Sequence, residues 1–129
     1  MNSGEHGILH IVVADEDRTA VDRIVAILRS DGHAVFHAYD ALAATQLAMN
    51  LKVCDLVISK TKMAGLETGV ELILQLRQLR PVVPVIYLAN AGRSSPEVER
   101  KLPPDVLIIR EPFTPENLRA AVAATLDGR

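Results

Sequence analysis

The sequence lacks most of the features that mark secreted, membrane and nucleic-acid-binding proteins. It has one cysteine in 129 residues, Cys54, so no disulfide can form within the chain, whereas small secreted domains usually carry several. Tryptophan is absent and aromatic residues make up only 3%, which leaves little material for base stacking. No apolar run approaches the roughly 18 residues of a membrane span, and residues 1–6 do not resemble a signal peptide. These shortages favour a cytoplasmic protein with a reduced thiol.

The sequence also lacks a large excess of either positive or negative charge. The chain carries 14 Lys and Arg against 16 Asp and Glu, a net charge of -2, and so has no basic excess of the kind that nucleic-acid binding requires. Hydrophobic residues make up 49% of the chain, enough to build a core at this length. We therefore expect one domain over residues 1–129, with its core at about 8–126, and neither a nucleic acid nor a membrane as partner.

Short apolar runs alternate with longer amphipathic stretches. The run at 8–14 is typical of a buried strand, and Val21, Ile24, Val25 and Leu28 follow it at helical spacing. The alternation recurs, with strands predicted at 34–38, 56–58, 85–88 and 106–109 and helices at 41–51, at 72–79, from Pro96 and from Pro115. The strand at 34–38 is more polar, which indicates a sheet edge. Apolar strands separated by helices predict an α/β fold with a parallel sheet covered on both faces.

Polar residues follow several of these strands. In a parallel α/β sheet, sites form in the crevice at the carboxyl ends of the strands. Asp15 and Glu16 come after the first strand, Lys60 after the third and Glu111 after the fifth. An adjacent acid pair suits Mg²⁺, but acids at a helix start are an equally good explanation of it.

Several motifs in order resemble the receiver domains of response regulators, the CheY-like family. They are the strand and acid pair at 12–17 (VVADED), the strand and loop at 55–65 (DLVISKTKMAG), the helix start at 69–72 (GVEL), the strand at 84–88 (PVIYL) and the EPF at 111–113. The resemblance runs from about residue 9 to 126. It implies a doubly wound, flavodoxin-like fold, with five parallel strands in the order 2-1-3-4-5 and helices on both faces.

The chain departs from the family at the residues that carry its chemistry. Lys60 occupies the position of the phosphoacceptor Asp, Ala89 that of a Thr or Ser, and Glu111 that of the Lys before Pro-Phe. The aromatic residue that members often carry in strand five is Ile108. The acid pair alone remains, as Asp15 and Glu16. The resemblance therefore indicates a degenerate member, a pseudo-receiver.

The family mechanism should fail with these residues. In the family an Asp attacks a phosphoryl group held by Mg²⁺, and a lysine and a hydroxyl hold the new phosphoryl oxygens. Lys60 cannot form an acyl phosphate, Ala89 has no hydroxyl, and Glu111 would repel the group. We expect no catalytic residue, no enzyme activity and no cofactor beyond weak Mg²⁺ binding by Asp15 and Glu16 at most.

The exchange of Lys60 and Glu111 looks like a charge reversal. We hypothesise that the Lys60 ammonium takes the place of the metal, faces Asp15, Glu16 and Glu111, and holds one conformation. At an effective dielectric constant of about 20, an ion pair at about 4 Å has roughly 4 kcal/mol of attraction before desolvation is subtracted. The alternative is an ordinary solvated loop lysine.

Other residues offer poorer sites. Ser59 should point away from Lys60 because side chains alternate along a strand, Asp55 lies at the amino end of its strand, and Asp40 follows strand two. The four scattered histidines do not form a ligand cluster. The resemblance also implies a cis peptide bond at Glu111–Pro112.

The resemblance implies two-component (phosphorelay) signal transduction. We expect signalling by protein–protein contact without phosphorylation, through helix four, strand five and helix five, with a signalling protein or an output domain of the same protein as partner. A homodimer is compatible with the sequence. Two alternatives stay open: a phosphorylation-competent receiver with an atypical acceptor, and a small-molecule-binding domain that places a cationic ligand in the acidic crevice.

Overall fold

A computed structural model of the chain describes residues 7–60, 69–90 and 94–127. The loop after the third strand, with Gly65, lies outside the described residues. The strands are β1 (His10–Ala14), β2 (Ala34–Ala38), β3 (Leu56–Lys60), β4 (Val85–Ala89) and β5 (Leu107–Arg110). The helices are α1 (Arg18–Ser30), α2 (Ala41–Asn50), α3 (Gly69–Leu79), α4 (Pro96–Glu99) and α5 (Pro115–Asp127).

These elements confirm the predicted alternation, with shifts of one to three residues at several boundaries. β3 continues through Ser59 to Lys60, because backbone pairing with the strands on either side does not require apolar side chains. α3 begins at Gly69, three residues before the periodic stretch at 72–79, in agreement with the helix start that the resemblance implied at 69–72; Gly69 and Val70 are already buried in its first turn. The shift in β3 brings Lys60, a residue of the candidate site, into the sheet.

The five strands form one parallel sheet in the order β2-β1-β3-β4-β5, as expected. β2 lies at one edge, in agreement with its more polar sequence, and β5 lies at the other. Because all the strands run the same way, their carboxyl ends meet at one edge of the sheet. That edge is where the residues singled out in the sequence come together.

Two apolar layers cover the sheet. On one face β1, β3 and β4 pack against the buried residues of α1 and α5, with Ile11, Ile58 and Ile86 fully buried. On the other face, Val57 and Tyr87 pack against α2 and α3, and half-buried Val98 of α4 joins them. Cys54 is half-buried at the margin of this second layer, and burial raises the pKa of its thiol. Cys54 thus packs as a small apolar residue.

Local signals in the sequence start and stop the helices. Asp17 caps α1 by accepting hydrogen bonds from the backbone N–H groups of Thr19 and Ala20. α1 ends at Ser30 with Asp31 as its C-cap, and Gly32 follows with φ 93°, a conformation that glycine adopts without strain. Across the described residues, no helix combines the length and the apolar character needed to cross a bilayer.

Candidate functional site

Strand register brings Asp15, Lys60 and Glu111 to the same edge of the sheet. Ala14 pairs with Ser59, so the next residues along these strands, Asp15 and Lys60, are also neighbours. Glu111 follows the end of β5, and its backbone N–H donates to the carbonyl of Ala89 at 2.9 Å. The carboxyl ends of β1, β3 and β5 thereby supply two carboxylates and one ammonium.

The Lys60 ammonium lies between the two acids. Lys60 Nζ is 3.3 Å from Glu111 Oε2 and 3.6 Å from Asp15 Oδ2. The Lys60 side chain is 15% exposed, which excludes the alternative of a solvated loop lysine. Asp15 Oδ2 and Glu111 Oε1 are buried and accept no hydrogen bond from the described residues. The cluster is therefore held by charge more than by hydrogen bonds.

Burial dominates the electrostatics of Asp15. The Asp15 side chain is only 1% exposed, and this desolvation raises the pKa of its carboxyl above the ordinary value. The hydrogen bond from the Asp17 N–H to Asp15 Oδ1, at 3.0 Å, and the charge of Lys60 act in the opposite direction on the pKa. The protein thus holds a carboxylate in a place that disfavours its charge, with Lys60 as the nearest compensating cation.

Glu16 was expected to face Lys60, and the structure shows that this prediction is wrong. Glu16 is exposed, and within the described ranges it forms no ion pair with Lys60. The reason is geometric: the chain leaves β1 at Asp15 and turns toward α1, so only the first acid of the pair points inward. Ala89 is buried and Ile108 is half-buried against the core, and neither brings a polar atom to the site.

Mg²⁺, which the receiver family uses, is poorly matched to these side chains. Magnesium needs several oxygen ligands, but the one buried carboxylate of the acid pair already faces the Lys60 ammonium. In the parts of the chain that the structure describes, no three His, Cys, Asp or Glu side chains are placed to bind one ion. The side chains therefore do not suit the ion, and the expectation that the domain works without Mg²⁺ stays a prediction.

The other candidate acceptors have structural roles or lie buried. Ser59 is fully buried on the far side of β3, and its hydroxyl has no hydrogen-bond partner among the described residues. Asp40 caps α2 by accepting from the Ala43 N–H at 2.7 Å. Asp55 accepts from the His10 N–H at 2.8 Å, at the opposite edge of the sheet from Lys60.

A groove opens beside the charged cluster. It has a volume of about 290 Å³ and runs between α1 and the start of the β5–α5 connection. The Glu111–Pro112 peptide bond in its wall is cis, as the resemblance implied. The remaining lining residues are Ala20, Arg23, Ile24, Ile27, Asn90 and Phe113. The groove is mostly apolar, with Glu111 at the end nearest Lys60.

Sequence reasoning missed a second polar network, on the α4 side of β5. Arg110 forms a bidentate ion pair with Glu99, which also accepts a hydrogen bond from Ser94. The available signal was the neighbouring opposite charges of Arg110 and Glu111 at the end of an otherwise apolar strand. Adjacent strand residues point to opposite faces, so the two side chains serve different clusters.

Comparison with known proteins agrees with the geometry. Residues 11–123 match the family of response regulator receiver domains. No protein of curated function matches the sequence. Among solved structures, a CheY-like receiver domain protein from Methanospirillum hungatei JF-1 is similar, with 24% identity over 95% of this chain and 96% of that chain and a TM-score of 0.84.

Two further solved structures show the same fold at lower identity. A receiver protein from Sinorhizobium medicae WSM419 is 20% identical, with 95% of this chain and 97% of that chain covered and a TM-score of 0.83. Chemotaxis protein CheY4 of Vibrio cholerae is 21% identical, with 93% and 100% covered and a TM-score of 0.81. At these identities the structures establish the fold, while the sequence match over 113 residues establishes the family. The chain belongs to the response regulator receiver domains, the signalling domains of two-component systems.

Proposed function

We propose that this receiver domain signals by protein–protein contact without being phosphorylated. The position of the Lys60 ammonium carries the proposal, because it lies within 4 Å of Asp15 and Glu111 where the family places its acceptor and metal. A protonated amine is a poor nucleophile toward a phosphoryl group, and a lysine cannot form the acyl phosphate that an aspartate forms. The ion cluster then takes over the role of the metal and holds one arrangement of the strand ends.

The surface that we propose for the contact is formed by α4, β5 and α5, by analogy with the family. β5 is an edge strand, and no further strand of the described residues covers this side of the sheet. Exposed side chains of both signs lie on the two helices and just after α4: Glu97, Arg100, Lys101, Glu116 and Arg119. Mixed charge suits a protein partner, either a separate signalling protein or an output domain, better than a nucleic acid. The cytoplasmic location and the possible homodimer remain predictions.

Phosphotransfer provides the test. The purified domain is incubated with Mg²⁺ and a small phosphodonor such as acetyl phosphate, and its intact mass is measured over time. We expect no gain of a phosphoryl group. A variant that combines Lys60→Asp, Ala89→Thr and Glu111→Lys restores the family residues and serves as the matched control, which should gain one group. A stoichiometric gain by the native chain would contradict the proposal and revive an atypical acceptor.

Small-molecule binding is a second candidate, favoured by the groove of about 290 Å³ beside Glu111. Its volume is at the lower limit of ordinary ligand pockets, which restricts it to small ligands. The cationic ligand expected from the sequence is disfavoured, because Lys60 already neutralises part of the acidic crevice. A ligand present at 100 times its Kd would add about 2.7 kcal/mol to the stability of the domain, a change that thermal unfolding detects readily.

A further inference from the structure

Arg110, the last residue of β5, is joined to α4 by a bidentate ion pair. Its Nη2 donates to Glu99 Oε1 at 2.7 Å and its Nη1 to Glu99 Oε2 at 2.9 Å. Two parallel N–H···O bonds are the strongest and most directional contact that a guanidinium makes with a carboxylate. The pair therefore fixes both the distance and the orientation of α4 relative to the end of β5.

The same carboxylate is linked to the core. The Ser94 hydroxyl donates to Glu99 Oε2 at 2.6 Å, and the Tyr87 hydroxyl lies 3.4 Å from Ser94 Oγ. Tyr87 is fully buried in β4, whereas the Arg110 side chain is 67% exposed. A continuous chain of polar contacts thus runs from the interior of the sheet, through the start of α4, to the surface at β5.

α4 needs such contacts because it has little else to hold it. It comprises only Pro96–Glu99 and has no fully buried residue. A helix of one turn is unstable on its own, so its position depends on contacts with other parts of the protein. Half-buried Val98 supplies one apolar contact with the core, and the Glu99 carboxylate supplies the polar ones.

We propose that Tyr87, Ser94, Glu99 and Arg110 form a latch that sets the position of α4 independently of the Lys60 cluster. Arg110 and Glu111 are adjacent, but their side chains leave the strand on opposite sides, so the latch and the Lys60–Glu111 pair share no side chain. This inference does not depend on the proposed function, since the latch can be present in a phosphorylated or an unphosphorylated domain.

Hydrogen exchange of the backbone amides measures the latch directly. In the Glu99→Gln variant of the full chain, we expect the amides of residues 98–102 to exchange roughly three- to tenfold faster, while those of β3 and β4 keep their native rates. Arg110→Lys keeps the positive charge but loses the two parallel hydrogen bonds to Glu99. It should therefore accelerate exchange at the same amides less than Glu99→Gln does. Lys60→Met should leave the exchange of residues 98–102 within twofold of the native rate.

Asp105→Asn is the matched control. It removes a second bidentate pair, between Arg77 and Asp105 at 2.7 and 3.1 Å, that does not involve α4. We expect native exchange at residues 98–102 in this variant. The latch is refuted if Glu99→Gln and Arg110→Lys both leave these amides at the native rate. It is also refuted if Lys60→Met or Asp105→Asn accelerates them as much as Glu99→Gln does.

Discussion

At the residue scale, one ammonium and two carboxylates share a space with little access to water. Lys60 is 15% exposed, Asp15 1% and Glu111 20%, so each pays a desolvation cost that only its partners offset. The three formal charges sum to -1, which leaves no surplus positive charge to attract a phosphoryl group and only one uncompensated negative charge to attract a cation. The chemistry of the pocket is thus that of a closed ion cluster.

Removal of the ammonium should destabilise the domain. Lys60→Met keeps a long, flexible side chain but leaves two largely buried acids without their cation. We expect a loss of about 2 kcal/mol at pH 7, below the cost of breaking a fully buried pair because Lys60 retains some exposure. Unfolding in urea measures the change. Lys52→Met, at an exposed lysine, is the control and should change stability by no more than about 0.5 kcal/mol. Equal effects of the two substitutions would show that the cluster adds nothing.

Asp15 gives the pocket a pH dependence. Its folded pKa lies above the unfolded value, so its favourable contribution is complete below the unfolded pKa and is lost as the pH rises through the folded pKa. Asp15→Asn removes the buried charge and keeps the acceptor for the Asp17 N–H. We expect this variant to be more stable than the native chain at pH 7, by a margin that shrinks as the pH falls toward the unfolded pKa. Unfolding curves at several pH values check this, and a margin that grows on acidification would contradict it.

At the element scale, the residues at the start of a helix help to position the side chains of the site. Asp17 caps α1 and, through its own N–H, orients Asp15, so the start of one helix also fixes the buried carboxylate. α4 lies at the other extreme, with one turn and no buried residue. The connection after β1 is therefore held by local contacts, whereas α4 depends on the contacts of Glu99 with Ser94 and Arg110.

Loss of the Asp17 cap should destabilise α1 and with it the domain. Asp17→Ala leaves the backbone N–H groups of Thr19 and Ala20 without their acceptor, at a typical cost of about 1 kcal/mol. Thermal unfolding measures the cost, and Asp22→Ala, at an exposed position inside α1, is the control with a change of no more than about 0.5 kcal/mol. A cost for Asp17→Ala no larger than that of the control would rule out a capping role.

At the scale of the whole molecule, more of the fold than of the candidate site could be predicted from the sequence. Apolar runs such as 11–14 identified the strands because both faces of a parallel sheet are buried, and the carboxyl-edge rule brought Asp15, Lys60 and Glu111 together. The outward turn of Glu16 was not predictable, because it depends on how the chain leaves β1. The pairing of Glu99 with Arg110 was also missed, because a one-turn helix has no periodicity that shows which face it presents.

If the Lys60 ammonium occupies the place of the metal, the native chain should not bind Mg²⁺, and a magnesium titration tests this. Heat of binding is measured for the native chain and for the Lys60→Asp/Glu111→Lys double variant, which exchanges the two charges while the net charge of the chain stays the same. We predict that the native chain gives no heat of Mg²⁺ binding and that the double variant binds the ion. Saturable Mg²⁺ binding by the native chain would contradict the account, because the ammonium and the metal cannot both lie beside Asp15.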